Sequence, residues 1–190
     1  MKSHLLNNRV FKVISLWIGK IILFVLGWKL VGQAPKAKKM VMIGAPHTSN
    51  WDFVFFLCLI FNFQLPAHWM AKASMFDNPF RHLLTRLGGI PVDRSKSHNL
   101  VQHSAQAIQN AEKMTLTIAP SGTRSKVKKW KTGFYHIAHM AKVPIACGFI
   151  DYEKKIVGIG PSFYTTGDIE KDMADIQAFY ADKKGKSPGF

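Results

Sequence analysis

Met40-Val41-Met42-Ile43-Gly44-Ala45-Pro46-His47-Thr48-Ser49-Asn50-Trp51-Asp52 opens on six apolar residues and closes on a histidine and an aspartate five positions apart. An apolar run without alternation reads as a strand buried on both faces, as in a parallel sheet. Pro46 ends the run, and a second apolar run, 53–63, has helical length. A strand therefore stops, a short turn presents His47, and a helix starts near Asn50 with Ser49 or Asn50 as its cap. His47 and Asp52 can then meet across the first helical turn. A carboxylate on one imidazole nitrogen fixes the tautomer and leaves the other nitrogen as a base. The same spacing also suits a histidine that merely bonds to a helix cap, so the surroundings must decide.

Outward from this stretch, strands are expected at 67–71, 90–92, 114–119, 143–150 and 156–159. Helices are expected at 80–87, from Ser97 or Asn99 through 108, at 133–142 and at 169–180. The last two strands are joined by the polar turn 151–155. Strands alternating with helices indicate an α/β fold, a mixed, largely parallel sheet flanked by helices. The loops at 46–52, 92–95 and 120–125 all follow strands, and sites in such sheets gather at the carboxyl ends of strands.

Composition narrows the partners. Hydrophobic residues make up 47% of the 190 and charged residues 19%, which excludes a disordered chain. The net charge of +15 attracts anions: nucleic acid, an anionic membrane leaflet or phosphorylated substrates. A nucleic-acid binder would interleave basic residues with stacking aromatics in a recognisable module. Only Lys126, Lys128, Lys129 and Lys131 around Trp130 come near that pattern, so no nucleic-acid partner is expected. Cys58 and Cys147 lie within apolar runs, as buried thiols of a reducing compartment do, and neither has metal-ligand spacing.

Residues 10–31 are strongly apolar but contain Lys12, Lys20 and Lys29, and no signal-peptide cleavage site follows. Lys12, Ser15, Gly19 and Lys20 fall broadly on one helical side. The favoured reading is a helix lying in the membrane interface, its lysines facing lipid phosphates. A membrane span and a soluble core helix are the alternatives. The expected organisation is an N-terminal membrane-interface helical segment at 1–32 and a catalytic domain at 33–190.

Two further loops could carry chemistry. In Gly88-Gly89-Ile90-Pro91-Val92-Asp93-Arg94-Ser95 the glycines permit a tight turn or close backbone approach, and Arg94 at a strand end can grip a phosphate or simply pair with Asp93. In Ser121-Gly122-Thr123-Arg124-Ser125 small residues expose backbone N–H groups beside hydroxyls and a fixed charge, which suits an oxygen-rich anion or an ordinary polar turn. The loop lacks nucleotide-type phosphate-loop spacing, and no G-x-S-x-G surrounds Ser121. His136 and His139 are three apart on an expected helix, but no acidic neighbour completes a metal site, and none is expected.

In this order the stretches resemble the glycerolipid acyltransferase family, which includes the lysophosphatidic acid acyltransferases. His47 and Asp52 match its H-x-x-x-x-D block. Residues 88–94 match its glycine-led strand ending in arginine. Residues 120–125 match P-E-G-T-R-S except at Ser121, and Val143-Pro144-Ile145 match a later V-P-I strand. Trp130-Lys131-x-Gly133 is also similar, and the resemblance covers about 27–165. It implies that His47, oriented by Asp52, acts as general base on an acceptor hydroxyl that attacks an acyl thioester. It implies that Arg94, Ser121, Gly122, Thr123 and Arg124 hold the acceptor. The implied donor is acyl-CoA or acyl carrier protein, with no cofactor or metal, and the implied acceptor is a lysophospholipid such as 1-acylglycerol-3-phosphate. A different lyso-lipid acceptor, or a thioesterase using the same pair on water, is the alternative. The implied location is an anionic membrane surface, the cytoplasmic face of the inner membrane. Ser121 departs from the family's glutamate, which leaves the acceptor open more than the chemistry.

Overall fold

A computed structural model describes residues 4–92 and 99–187. Among these, seven strands form one sheet: β1 (Lys29–Gly32), β2 (Lys39–Ala45), β3 (Ala67–Lys72), β4 (Gly89–Val92), β5 (Met114–Ile118), β6 (Ile145–Asp151) and β7 (Ile156–Phe163). The order is β1-β7-β6-β2-β5-β3-β4. Every pairing is parallel except β6 with β7, which form the antiparallel hairpin that the polar turn requires. Asp151 shapes that turn, its Oδ1 accepting from the Glu153 and Lys154 amides at 3.1 and 3.3 Å. The helices are α1 (Arg9–Leu26), α2 (Trp51–Asn62), α3 (Arg81–Arg86), α4 (Leu100–Asn110), α5 (Gly133–Ala141) and α6 (Ile169–Tyr180). The fold is the expected mixed α/β arrangement.

The strand β2 lies at the centre and explains its own composition. Val41, Ile43 and Ala45 pack on one side with Phe134 and Ile137 of α5 and Ile108 of α4. Met40 and Met42 pack on the other with Phe55 and Leu59 of α2 and Leu23 of α1. Both faces are covered, so both alternating sets must be apolar. The connection leaving β2 runs through α2 on one face. The connection leaving its neighbour β5 runs through α5 on the other. Adjacent strands whose connections part in this way leave a crevice at their carboxyl ends.

Two features differ from the sequence reading. Residues 29–32, counted with the N-terminal segment, form β1 and extend the sheet alongside β7. Gly27, at φ +69°, closes α1 and lets the chain turn into that strand. The second difference is the orientation of α1. Ser15, Gly19 and Leu23 are its buried stripe, one turn apart, and face α2. A Cβ on Gly19 would meet Asn62 Nδ2 at 2.5 Å and the Cys58 carbonyl oxygen at 3.3 Å, so a small residue sets the helix separation. Ser15 and Gly19 therefore do not belong to a lipid-facing polar side. The outward face is instead apolar, with Val10, Val13, Ile14, Trp17, Ile18, Ile21, Phe24 and Val25 exposed. Among the described residues no helix is long and apolar enough to cross a membrane.

Candidate active site

Asp52 begins to be explained by its burial, for it is only 4% exposed. A carboxylate removed from water must recover its hydrogen bonds inside the protein. Asp52 recovers four. Its Oδ2 accepts from the Thr48 and Ser49 amides at 2.6 and 2.8 Å and meets His47 Nδ1 at 3.0 Å. Its Oδ1 accepts from the Tyr152 hydroxyl at 2.5 Å. Burial alone would raise its pKa, but the bonds from His47, Tyr152, Ser49 and Thr48 overcome it and hold the carboxyl below the usual carboxylate range. The Tyr152 hydroxyl is held protonated, first by burial and then by the carboxylate it donates to.

The local sequence dictates this geometry. The turn after β2 folds over the first turn of α2, and Asp52 sits at that helix's second position, where acidic groups are favoured. The cap is shared rather than held by one residue. Ser49 Oγ accepts from the Trp51 amide at 3.2 Å, while the Asn50 side chain makes no capping bond. With Asp52 fixed, His47 is fixed through Nδ1. An ionised carboxylate only accepts, so Nδ1 carries the proton and Nε2 carries the lone pair. The His47 side chain is 33% exposed beside a buried partner. The arrangement can therefore accept a proton from a molecule arriving at the carboxyl edge of the sheet.

The loop after β5 reaches the same place. Arg124 Nη1 donates to Asn50 Oδ1, joining the two loops directly. Ser121 Oγ donates to the Thr123 carbonyl at 2.6 Å, and the Ser125 amide donates to Thr123 Oγ1 at 3.3 Å. Gly122 sits at φ +64°, and a Cβ there would lie 3.1 Å from Lys131 Cε, so the Lys131 side chain passes over the loop. The Lys131 amide donates to the Pro120 carbonyl, which fixes the approach. His47, Asp52 and Arg124 are thus brought to one site, with Ser121, Gly122 and Thr123 in the loop that carries Arg124. Arg94 lies outside the described residues. Gly88, in the stretch leading to it, makes the expected close approach: a Cβ would stand 2.1 Å from the Ala67 carbonyl oxygen.

Sequence reasoning missed Tyr152, which it placed in a polar turn. Tyr152 lies just past the end of β6, and β6 runs parallel to β2 with Phe149 opposite Ala45. Its ring also meets Trp28 and Phe55 edge to face, at centroid separations of 5.0 and 5.8 Å. Trp28 stacks on Phe55 at 3.8 Å, which ties the end of α1 to the site. The sequence signal for Tyr152 is its position at the carboxyl end of a strand, which needs the strand order to be useful. His136 and His139 are exposed on α5, and His139 Nδ1 lies 2.9 Å from Thr165 Oγ1. Among the described residues no three His, Cys, Asp or Glu side chains come together as a metal site would require.

The Acyltransferase family model matches residues 30–149, which span the sheet from β1 to β6 with the His47 and 120–125 loops. The chain belongs to the acyltransferase family, and it is an acyltransferase. Its fold is similar to the crystal structure of the 1-acyl-sn-glycerophosphate (LPA) acyltransferase PlsC from Thermotoga maritima. The TM-score is 0.62 at 17% identity, over 92% of this chain and 82% of that one. At that identity the likeness bears on the fold. No curated protein matches the chain in sequence.

Proposed function

We propose that this acyltransferase moves a fatty acyl group from an acyl thioester to the hydroxyl of a lysophospholipid such as 1-acylglycerol-3-phosphate, at a membrane surface. The observation that carries the reading is the one-third-exposed His47 side chain held through Nδ1 by a buried, fully bonded Asp52. His47 Nε2 takes the proton from the acceptor hydroxyl as its oxygen attacks the thioester carbonyl. The tetrahedral intermediate collapses with loss of the thiolate, which recovers the proton from the imidazolium. Asp52 stabilises that imidazolium. Arg124 and the loop of Gly122 and Thr123 that carries it hold the acceptor's phosphate, with Arg94 a further phosphate ligand, so that hydroxyl and thioester meet in position. A thioester is already activated, so the step uses no cofactor or metal. Coenzyme A and acyl carrier protein are both acceptable carriers of the acyl group.

The membrane part of the proposal rests on α1. Trp17 is 58% exposed and Phe24 85%, and with their apolar neighbours they form a face flanked by the exposed Arg9 and Lys20. Such a face suits an anionic bilayer interface, in keeping with a cytoplasmic-face location on the inner membrane. A screen of lyso-lipid acceptors with labelled oleoyl-CoA and with oleoyl acyl carrier protein tests the reaction. Transfer to a phosphate-bearing lyso-lipid is expected. Release of free oleate with no acceptor preference would mean a thioesterase instead.

A further inference from the structure

Beyond α6, residues 181–187 turn back across the carboxyl edge of the sheet. The Tyr152 amide donates to the Lys184 carbonyl, and the Lys186 amide donates to Thr48 Oγ1, both at 2.9 Å. These are two of the residues that hold Asp52, Tyr152 through its hydroxyl and Thr48 through its amide. The tail is therefore pinned to the backing of the His47 site.

This pinning delivers a charge. Lys186 Nζ lies 5.4 Å from the centroid of the Trp51 ring, the first residue of α2. Trp51 follows Asn50, whose side chain bonds Arg124. Consecutive residues of the catalytic turn thus each carry a cation, one brought by the loop after β5 and one by the tail. Two other basic groups nearby are answered within the fold, while the Lys131 side chain lies over the 121–125 loop. Lys183 and Lys154 both pair with Asp182, and Lys154 also approaches Asp151 at 3.7 Å. Lys186 rests on an aromatic face, which orients an ammonium without neutralising it. Asp52, the carboxylate of the turn, is already committed to four hydrogen bonds. Position 121, in the facing loop, holds an uncharged serine.

We propose that Lys186 is a further substrate-binding residue: with Arg124 it binds a phosphate group of a substrate poised at His47. The inference rests on the acyl-transfer reading above. Two substrates carry that chemistry, the lyso-lipid acceptor and the coenzyme A portion of the donor.

The test compares Lys186→Ala and Lys186→Arg with wild type. Lys38→Ala serves as the charge control, because Lys38 precedes β2 at the opposite, amino edge of the sheet. Steady-state kinetics use lysophosphatidic acid with oleoyl-CoA, then monoacylglycerol in place of the acceptor and oleoyl N-acetylcysteamine thioester in place of the donor. Lys186→Ala should raise one KM about tenfold, the worth of one charge-assisted contact, while kcat falls less than threefold. Lys186→Arg should restore most of that loss. The rise should vanish with the phosphate-free analogue of whichever substrate is bound, which identifies the source. Unchanged KM values, a rise that persists with both analogues, or a rise equalled by Lys38→Ala would overturn the proposal. Calorimetric titration with coenzyme A and with lysophosphatidic acid tests Lys186 without turnover. At least one ligand should bind about tenfold more weakly to Lys186→Ala, and equal affinities, or no binding by wild type, would refute the assignment. Wild-type protein that binds in this way but transfers no acyl group would instead count against the acyl-acceptor reading.

Discussion

In the proposed reaction His47 and Asp52 divide the work between an accessible ring and a buried anchor, and the anchor is the more exacting of the two. Each donor to Asp52 offsets part of the cost of burying its charge, so removal of one is felt at both stability and rate. Tyr152→Phe deletes the hydroxyl at 2.5 Å and leaves Oδ1 short of a partner. About 1–3 kcal/mol of stability is expected to go, seen as a melting temperature lowered by several degrees, with kcat down about tenfold. An unaltered melting curve and kcat would remove Tyr152 from the account. Asp52→Asn keeps the shape but presents an amide that can turn its NH2 group toward His47, and kcat should fall at least about a hundredfold. The pair itself was legible in the sequence because both members lie on one turn, within six residues. Tyr152 was not, because 100 residues separate it from Asp52 and only the pairing of β6 with β2 makes them neighbours. Arg124 stood in a recognisable loop, but its contact with Asn50 depends on β5 lying beside β2.

At the scale of elements, the packing of α1 on α2 was the hardest feature to read. The eye takes Ser15 and Gly19 as polar positions, whereas close helix packing uses them as the only residues small enough for the seam. Gly19→Val is expected to force the helices apart, costing about 1–3 kcal/mol by overpacking against the Cys58 carbonyl and Asn62. A melting temperature equal to that of wild type would show that α1 can shift without cost. The strand β1 was equally hidden, since Lys29-Leu30-Val31-Gly32 continues the apolar run of the preceding helix. By contrast β2, α2, β5 and α6 were readable from apolar runs and caps, because their burial is set by local pattern. The turn before α1 adds a pH dependence. His4 Nδ1 accepts from the Leu6 amide at 3.1 Å and Nε2 donates to the Ala67 carbonyl at 2.9 Å, so the ring is held neutral. Burial pushes the His4 pKa down. Burial and then the neighbouring His4 push His68 down to about 4 from 6.5. Both folded values lie below the unfolded one, so the unfolded chain binds more protons between them. Stability is complete above about pH 6.5 and falls as pH drops toward 4. His68→Gln should flatten that part of the melting-temperature profile, and an unchanged slope would contradict the assignment.

For the whole molecule, the proposed function assigns the basic charge, the apolar face of α1 and the crevice at the carboxyl edge to one setting, an anionic lipid surface that would supply the acceptor. Leu6 and Leu23 belong to the core and residues 29–32 to the sheet, so deleting the N-terminal segment would disturb the fold. Trp17→Ser with Phe24→Ser leaves those contacts intact. This double variant should lose most of its flotation with liposomes containing phosphatidylglycerol while keeping its melting temperature. Undiminished flotation would place the lipid contact elsewhere. If His47 is the base for acyl transfer to a lyso-lipid hydroxyl, its removal must stop that transfer in a folded protein. Transfer of labelled oleate from oleoyl-CoA to lysophosphatidic acid is followed for wild type and for His47→Ala, with circular dichroism confirming that both are folded. Diacylated product is expected from wild type, and a rate at least about a hundredfold lower from the folded variant. Transfer by His47→Ala at near wild-type rate would contradict it.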